Sequence, residues 1–100
     1  MIALQLSVHV RYEDVSPAEK KGYKGATVDI GYQAVPRVGD FFSVHPAVEP
    51  LQVIKVTHWG PGFDCGSCAE IHFYAPLSVI ETLLASTKKE VEEEWEPEDL

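Results

Sequence analysis

The sequence is poor in cysteine and has no long apolar run. Its 100 residues include two cysteines, too few for the disulfide framework that stabilises many small secreted domains, so a reducing compartment is expected. Nowhere do about 18 apolar residues follow one another, and residues 1–6 lack the basic and continuous apolar regions of a signal peptide. These absences predict a cytoplasmic protein that does not insert into a membrane.

Basic side chains are also scarce. Lys and Arg number 8 against 16 Asp and Glu, for a formal net charge of −8. Because affinity for nucleic acids comes mainly from Lys and Arg that neutralise phosphates, binding to DNA, RNA or an anionic membrane surface is not expected. Residues 1–87 carry nine acids and six bases, net −3, and residues 88–100 carry seven acids and two bases, net −5. Most of the acidic excess therefore lies in the tail.

The overall composition is that of a globular protein. With 45% hydrophobic and 24% charged residues, the chain has room for one hydrophobic core. We expect a single β-rich domain over residues 1–87, which includes the start of a C-terminal helix. Residues 88–100 are expected to form the acidic end of that helix and a solvated tail.

Alternation of apolar and polar residues predicts a β-sheet over the first three quarters of the chain. Strict alternation is the period of a strand with one buried face. Five segments show it fully or in part: residues 2–12, 26–33, 41–45, 51–59 and 69–75. Within the fourth segment the apolar phase changes after Val53, which indicates a β-bulge or burial on both faces. We therefore predict a five-stranded antiparallel sheet, with turn spacing that suggests closure into a small SH3-like or OB-like barrel.

Two helices are predicted outside the sheet. Residues 16–19 (SPAE) have the pattern of a helix N-terminus and Gly22 suits its end, so a short helix follows the first strand. A second capping pattern begins at Ser78 and predicts an amphipathic C-terminal helix. Its apolar residues lie on one side of a helical wheel: Leu77, Ile80, Leu84, Val91 and Trp95. The helix is predicted either to continue past Ser86 or to break there and restart, because residues 87–90 (TKKE) form a further capping pattern.

One spacing favours a metal site, formed by His58, Cys65, Cys68 and His72. The two-residue gap between the cysteines lets both thiolates reach one tetrahedral ion, and the histidines flank this loop on strands expected to pair. Zinc is the cofactor that such a set would bind. The alternatives are two reduced thiols beside solvated histidines, or a disulfide. Thiol-exchange catalysis lacks the helix N-terminus that it needs at the first thiol.

Three large aromatic residues are candidates for contact with a partner protein. Trp59 and Phe63 lie in or beside the glycine-rich loop of residues 59–68, where such side chains either cover the core or stay exposed as anchors. Trp95 lies within the acidic run, which is either a solvated helix end or an arm that docks on a basic partner.

The sequence fixes no biochemical function and contains no recognisable catalytic constellation. It favours a non-enzymatic binding or accessory domain that presents residues 59–68 to another protein, and the alternative is a small zinc-binding protein organised around the same loop. Four tyrosines suggest an aromatic groove for an extended peptide or half-buried sheet positions: Tyr12, Tyr23, Tyr32 and Tyr74. A homodimer through an edge strand is a further hypothesis.

Overall fold

The structure, a computed structural model, describes residues 2–59, 68–86 and 95–99. Within these ranges the chain forms an α+β fold, as predicted. The elements in chain order are β1 (Ile2–Val10), α1 (Val15–Lys21), β2 (Tyr23–Tyr32), β3 (Phe41–Phe42), β4 (Leu51–His58), β5 (Ala69–Ala75), α2 (Leu77–Ala85) and β6 (Glu96–Asp99). A single 3₁₀ turn, Tyr12–Asp14, connects β1 to α1.

The strands form one open, mixed sheet in the order β3-β4-β5-β1-β2-β6. Neighbouring strands are antiparallel except β1 and β5, which run parallel from Leu4 opposite Ala69 to Val10 opposite Ala75. Because β3 and β6 lie at opposite edges, the sheet does not close into the SH3-like or OB-like barrel that the spacing suggested. The predicted five antiparallel strands are corrected to six strands with one parallel pair.

Both helices pack on the same face of the sheet. This face supplies one buried apolar cluster, and the strict alternation of β1 is confirmed by its inward side chains. The cluster includes Leu4, Leu6, Val8 and Val10 of β1, Ala26 and Val28 of β2, Ile71 and Phe73 of β5, Ala18 of α1, and Ile80 and Leu83 of α2. The opposite face of the sheet, here called the outer face, carries Gln5, Ser7 and His9 of β1 and Glu70, His72 and Tyr74 of β5.

The β4–β5 pair is the predicted hairpin and contains the predicted bulge. Its register shifts between Val53 and Lys55, at the point where the apolar phase changes. The extra residue turns one side chain out of the regular pleat, and Ile54 is 37% exposed. The change of phase therefore reports a bulge and not burial on both faces.

The helices begin before the serines that were predicted to cap them. α1 begins at Val15 and α2 at Leu77, so Ser16 and Ser78 lie inside the first turns and neither N-cap side chain makes a capping hydrogen bond. The predicted end of α1 is confirmed, since Gly22 follows it with φ 79°, in the left-handed region that favours glycine.

The C-terminal part of the chain differs most from the prediction. α2 ends at Ala85, at the break left open near Ser86, and residues 87–94 with Val91 lie outside the described residues. Residues 96–99, expected to be a helix end and tail, form β6 on the edge of β2. Trp95 precedes this strand and is 5% exposed within the core cluster. Burial of this large ring stabilises the attachment, and Pro97 is tolerated because an edge strand leaves one side unpaired.

We predict that truncation of Phe73 destabilises the protein far more than the same truncation at Phe41. Phe73 is fully buried, whereas Phe41 is 70% exposed. Phe73→Ala should lower the free energy of unfolding by about 3–5 kcal/mol, because it removes apolar burial and leaves a cavity. Phe41→Ala should change it by about 0.5 kcal/mol. Urea unfolding of both variants measures this, and equal losses would contradict the described core.

Candidate functional site on the outer face of the sheet

Cross-strand pairing brings two histidines together on the outer face. β1 lies between β5 and β2, so each of its residues has a neighbour on both sides. His9 lies opposite Tyr74 of β5 and Gly25 of β2, while Ser7 lies opposite His72 of β5. His9 and His72 are thus diagonal neighbours across the parallel pair, close enough for their rings to meet.

The two imidazoles share one hydrogen bond. His9 Nε2 lies 3.0 Å from His72 Nδ1, the ring centroids are 5.3 Å apart, and the ring planes differ by 10°. Because the nitrogen atoms approach far more closely than the centroids, the rings meet at their edges. One nitrogen therefore donates an N–H and the other accepts it.

A carboxylate and a hydroxyl lie at each end of this pair. Glu98 Oε2 lies 3.4 Å from His9 Nδ1, and the Ser7 hydroxyl donates to Glu98 Oε2 at 3.4 Å. At the other end, Thr57 Oγ1 and Glu70 Oε1 lie 3.3 Å and 3.8 Å from His72 Nε2. We call this set the histidine network: Ser7, His9, Thr57, Glu70, His72 and Glu98.

Glu98 reaches His9 across a glycine. Glu98 lies opposite Gly25 in the β2–β6 pair, and Gly25 lies opposite His9 in the β1–β2 pair. A Cβ atom at Gly25 would overlap the carbonyl oxygen of Val8 and would lie 3.2 Å from Glu98 Oε2. The absence of a side chain at this position is therefore a condition for the contact between β6 and the network.

Burial disfavours the charged form of the His72 imidazole. The pKa of His72 is lowered from its ordinary value of 6.5, chiefly because desolvation disfavours the imidazolium. The Glu70 carboxylate acts in the opposite direction but does not reverse the shift. His72 is therefore neutral at neutral pH and becomes charged only in more acidic solution than an exposed histidine.

The network does not present an accessible nucleophile. Ser7, His9 and Glu98 have the residue types of a hydroxyl–imidazole–carboxylate triad, and Ser7 Oγ lies 3.3 Å from His9 Nε2. Ser7 is fully buried, however, and its hydroxyl donates to the carboxylate that would orient the base. A substrate has no access to this oxygen, so the geometry gives no support to covalent catalysis.

A groove adjoins the network at the end of the sheet where β4 begins and β5 ends, between the strands and α2. The ring of Tyr74 packs edge-on against His9, with centroids 6.1 Å apart and planes at 65°. The same ring lines a concavity of about 690 Å³, here called the groove. Further walls of the groove come from Phe41, Pro50, Ile54, Pro76 and Val79. Of six large apolar side chains that are exposed among the described residues, three line the groove: Phe41, Ile54 and Tyr74.

The residues predicted to bind zinc are not brought together in the part of the chain that is described. His58 lies opposite Ala69, on the core side of the sheet, whereas His72 is on the outer face. Cys68 is an exposed free thiol, and Cys65 lies outside the described residues.

Residues 2–59, 68–86 and 95–99 contain no group of three or more His, Cys, Asp or Glu able to hold a metal ion. Because His58 and His72 project from opposite faces, one ion could be shared by only one of them with the cysteines. A zinc site at the loop stays a prediction.

The predicted aromatic anchors have three different outcomes. Trp59 is 36% exposed, and its backbone N–H donates to the carbonyl oxygen of Cys68 at 3.0 Å. Phe63 lies outside the described residues. Trp95 fills the chain's own core, where it holds β6 and is not presented to a partner.

The four tyrosines lie in different environments. Tyr74 lines the groove, Tyr23 and Tyr32 pack against the core, and Tyr12 is 94% exposed and is not among the residues that line the groove. Of the four tyrosines, Tyr74 therefore lines this concavity, together with Phe41.

Sequence reasoning did not single out His9, Ser7 or Glu98. His9 and His72 are 63 residues apart and Ser7 and Glu98 are 91 apart, so no local spacing connects them. The available signal was the polar half of the alternation in β1, where a serine and a histidine share the face opposite the core.

Comparisons with protein-family models, with curated proteins and with solved structures give no match for this chain. Among the described residues, no helix is both long and apolar enough to cross a membrane.

We predict that Gly25→Ala detaches β6 from the network. The added methyl group meets backbone at Val8 and the approaching Glu98 carboxylate, so the strands must move apart. We expect a loss of about 1–3 kcal/mol in the free energy of unfolding, as for other overpacked sites. Lys24→Ala is the control, because the exposed Lys24 Nζ lies 3.8 Å from Glu98 and should matter little. A Gly25→Ala protein as stable as the parent would contradict the described register.

The lowered pKa of His72 predicts a stability that falls with acidification. The unfolded chain takes up this proton near pH 6.5 and the folded chain only at lower pH. The unfolded state therefore binds more protons in that window, and the contribution is complete above pH 6.5 and is lost as the pH falls below it. The urea midpoints of the parent and of His72→Gln should be measured at several pH values from above 6.5 downwards. The difference between the two midpoints should shrink as the pH falls. Parallel curves would be inconsistent with the shift.

Proposed function

We propose that the chain is a non-enzymatic binding domain that holds an extended, uncharged segment of a partner protein in the groove. The observation that carries this proposal is the exposure of Phe41 (70%), Ile54 (37%) and Tyr74 (55%) along one concavity. Single apolar side chains on a surface need no explanation, but a contiguous group of them on a small protein marks an interaction surface.

The charge of the groove argues for an uncharged occupant. Its lining includes one base, Arg11, and one acid, Glu49, although the whole chain has a net charge of −8. A strongly basic partner would be attracted to other parts of the acidic surface, where carboxylates are concentrated. The groove itself offers apolar contact with a balanced pair of charges at its wall.

The shape and composition of the walls favour an extended segment. The aromatic rings of Phe41 and Tyr74 and the prolines Pro50 and Pro76 all line this open concavity. Aromatic-lined grooves of this kind bind proline-containing segments, because such segments are already extended and lose little conformational entropy on binding.

The loop of residues 59–68 is a second contact in the same proposal. β4 begins and β5 ends beside the groove, and the loop joins the other ends of these two strands. A strand of eight residues, as in β4, extends over about 26 Å. A partner that touches both the groove and Trp59 would therefore lie along the full length of the hairpin.

Selection of short random peptides on the immobilised full chain tests the proposal. We expect the selected peptides to be apolar and rich in proline. Phe41→Ala and Tyr74→Ala should each weaken their binding by about 10-fold or more, as for aromatic residues at the centre of an interface. Tyr12→Ala is the matched control, because Tyr12 is 94% exposed and does not line the groove.

Circular dichroism of each variant shows whether the fold is retained. Peptides that bind Phe41→Ala and Tyr74→Ala as tightly as the parent would overturn the proposal. So would selection of charged peptides whose binding disappears with added salt. Sedimentation showing a dimer that Phe41→Ala dissociates would assign the groove to a second copy of the chain instead.

A further inference from the structure

Only one hydrogen can lie between His9 Nε2 and His72 Nδ1. At 3.0 Å, one of the two facing nitrogens must carry the hydrogen and the other must present its lone pair. The other polar hydrogens of the histidine network are placed from the groups at its two ends and from Ser7, whose Oγ lies 3.3 Å from His9 Nε2.

The Glu98 carboxylate selects the tautomer of His9. A carboxylate oxygen 3.4 Å from Nδ1 favours a proton on that nitrogen, so His9 Nε2 presents the lone pair. His72 Nδ1 then donates to His9 Nε2, and His72 Nε2 accepts from the Thr57 hydroxyl at 3.3 Å. Every polar hydrogen of the pair has an acceptor in this arrangement.

The first added proton leaves the pair joined. With this proton, His72 Nε2 turns from acceptor to donor, towards Thr57 Oγ1 at 3.3 Å and the Glu70 carboxylate at 3.8 Å. One hydrogen still lies between His9 Nε2 and His72 Nδ1, and the positive charge is shared across that hydrogen bond, so this step does not require a charge on His72 alone.

The second added proton has no place in the joined pair. The remaining lone pair is that of His9 Nε2, which already accepts the hydrogen of His72; Ser7 Oγ, 3.3 Å from the same nitrogen, can accept an N–H from it only once His72 no longer points its own hydrogen there. A proton there would set two N–H groups head to head and would bring two positive charges together.

We propose that the histidine network is an acid-operated switch, in which the first proton leaves the two rings joined and the second parts them. In the parted state His9 pairs with Glu98, while His72 pairs with Glu70 and Thr57. The proposal concerns the outer face itself and does not rest on the function proposed above.

The charged groups around the pair allow this opening. Glu98 on β6 and Glu70 on β5 supply one carboxylate for each imidazolium. Lys55 on β4 lies opposite His72 and opposes its charging, and Lys24 on β2 lies 3.8 Å from Glu98. Each separated imidazolium then faces one carboxylate, and Lys24, which contacts the other oxygen of Glu98, is half exposed and screened by solvent, whereas the joined pair cannot hold both charges.

Separation of the two rings affects the groove but leaves β6 in place. Tyr74 packs edge-on against His9 and lines the groove, so movement of His9 changes one wall of the groove. β6 stays attached, because the contact between His9 and Glu98 becomes an ion pair when His9 is charged.

Nuclear magnetic resonance of the ¹⁵N-labelled full chain tests the switch. We expect the pair to take up its two protons in two separate steps on lowering the pH. The scalar coupling between His9 Nε2 and His72 Nδ1 across the hydrogen bond should persist after the first step and vanish in the second. The ring signals of Tyr74 should move with the second step, while amide protection of β6 is retained.

Glu98→Gln is the decisive variant. The amide keeps the shape of the side chain but cannot compensate a charged His9, so the second step should move to lower pH, and by more than the first step, because Glu98 is in contact with His9 and has only a minor influence on His72. In His72→Gln the pair no longer exists, and one step should remain. A coupling that survives both steps, a second step that Glu98→Gln leaves in place, or loss of circular dichroism in the second step would each overturn the switch.

Discussion

The pairing of β1 along both of its edges is the constraint on which the rest of the structure depends. Its nine residues form a ladder with β2 on one side and with β5 on the other. Because side chains alternate, Leu4 and Val8 enter the core while Ser7 and His9 enter the polar network, and all but His9 are fully buried. A slip by one residue would exchange the two faces and would place the polar side chains in the core, so core and network enforce the same register.

The periodicity of the sequence was sufficient for β1, β2, β4 and β5 and for the β4–β5 hairpin with its bulge, whereas of the third predicted segment, residues 41–45, only Phe41–Phe42 forms a strand. It was insufficient for strand direction, because alternation is identical in parallel and antiparallel pairs. It also misassigned residues 96–99, whose acidic side chains have no apolar period. Their conformation follows from Trp95, which enters the core and places the next residues at the free edge of β2. This is a tertiary effect that no local propensity contains.

The candidate site was predictable only in part, for a related reason. Tyr74 was singled out because aromatic residues are recognisable wherever they occur. His9 and Glu98 depend on the β1–β5 and β2–β6 registers, which join distant parts of the chain. The zinc pattern had the right residue types, but the hairpin register places His58 beside Ala69 on the core side and His72 on the other. Whether two residues of a hairpin share a face is decided by register, and spacing alone leaves it open.

The parallel pairing of β1 with β5 also has a consequence for biosynthesis. The opening strand of the chain finds one of its two partners only among residues 69–75, and the far edge of β2 is closed by residues 96–99. Such a high contact order slows folding, since long loops must close before their contacts stabilise anything. While the chain is still on the ribosome, β1 and β2 would present a bare apolar face. The sheet is therefore complete only once residues 69–75 and 96–99 have been synthesised and have paired with β1 and β2.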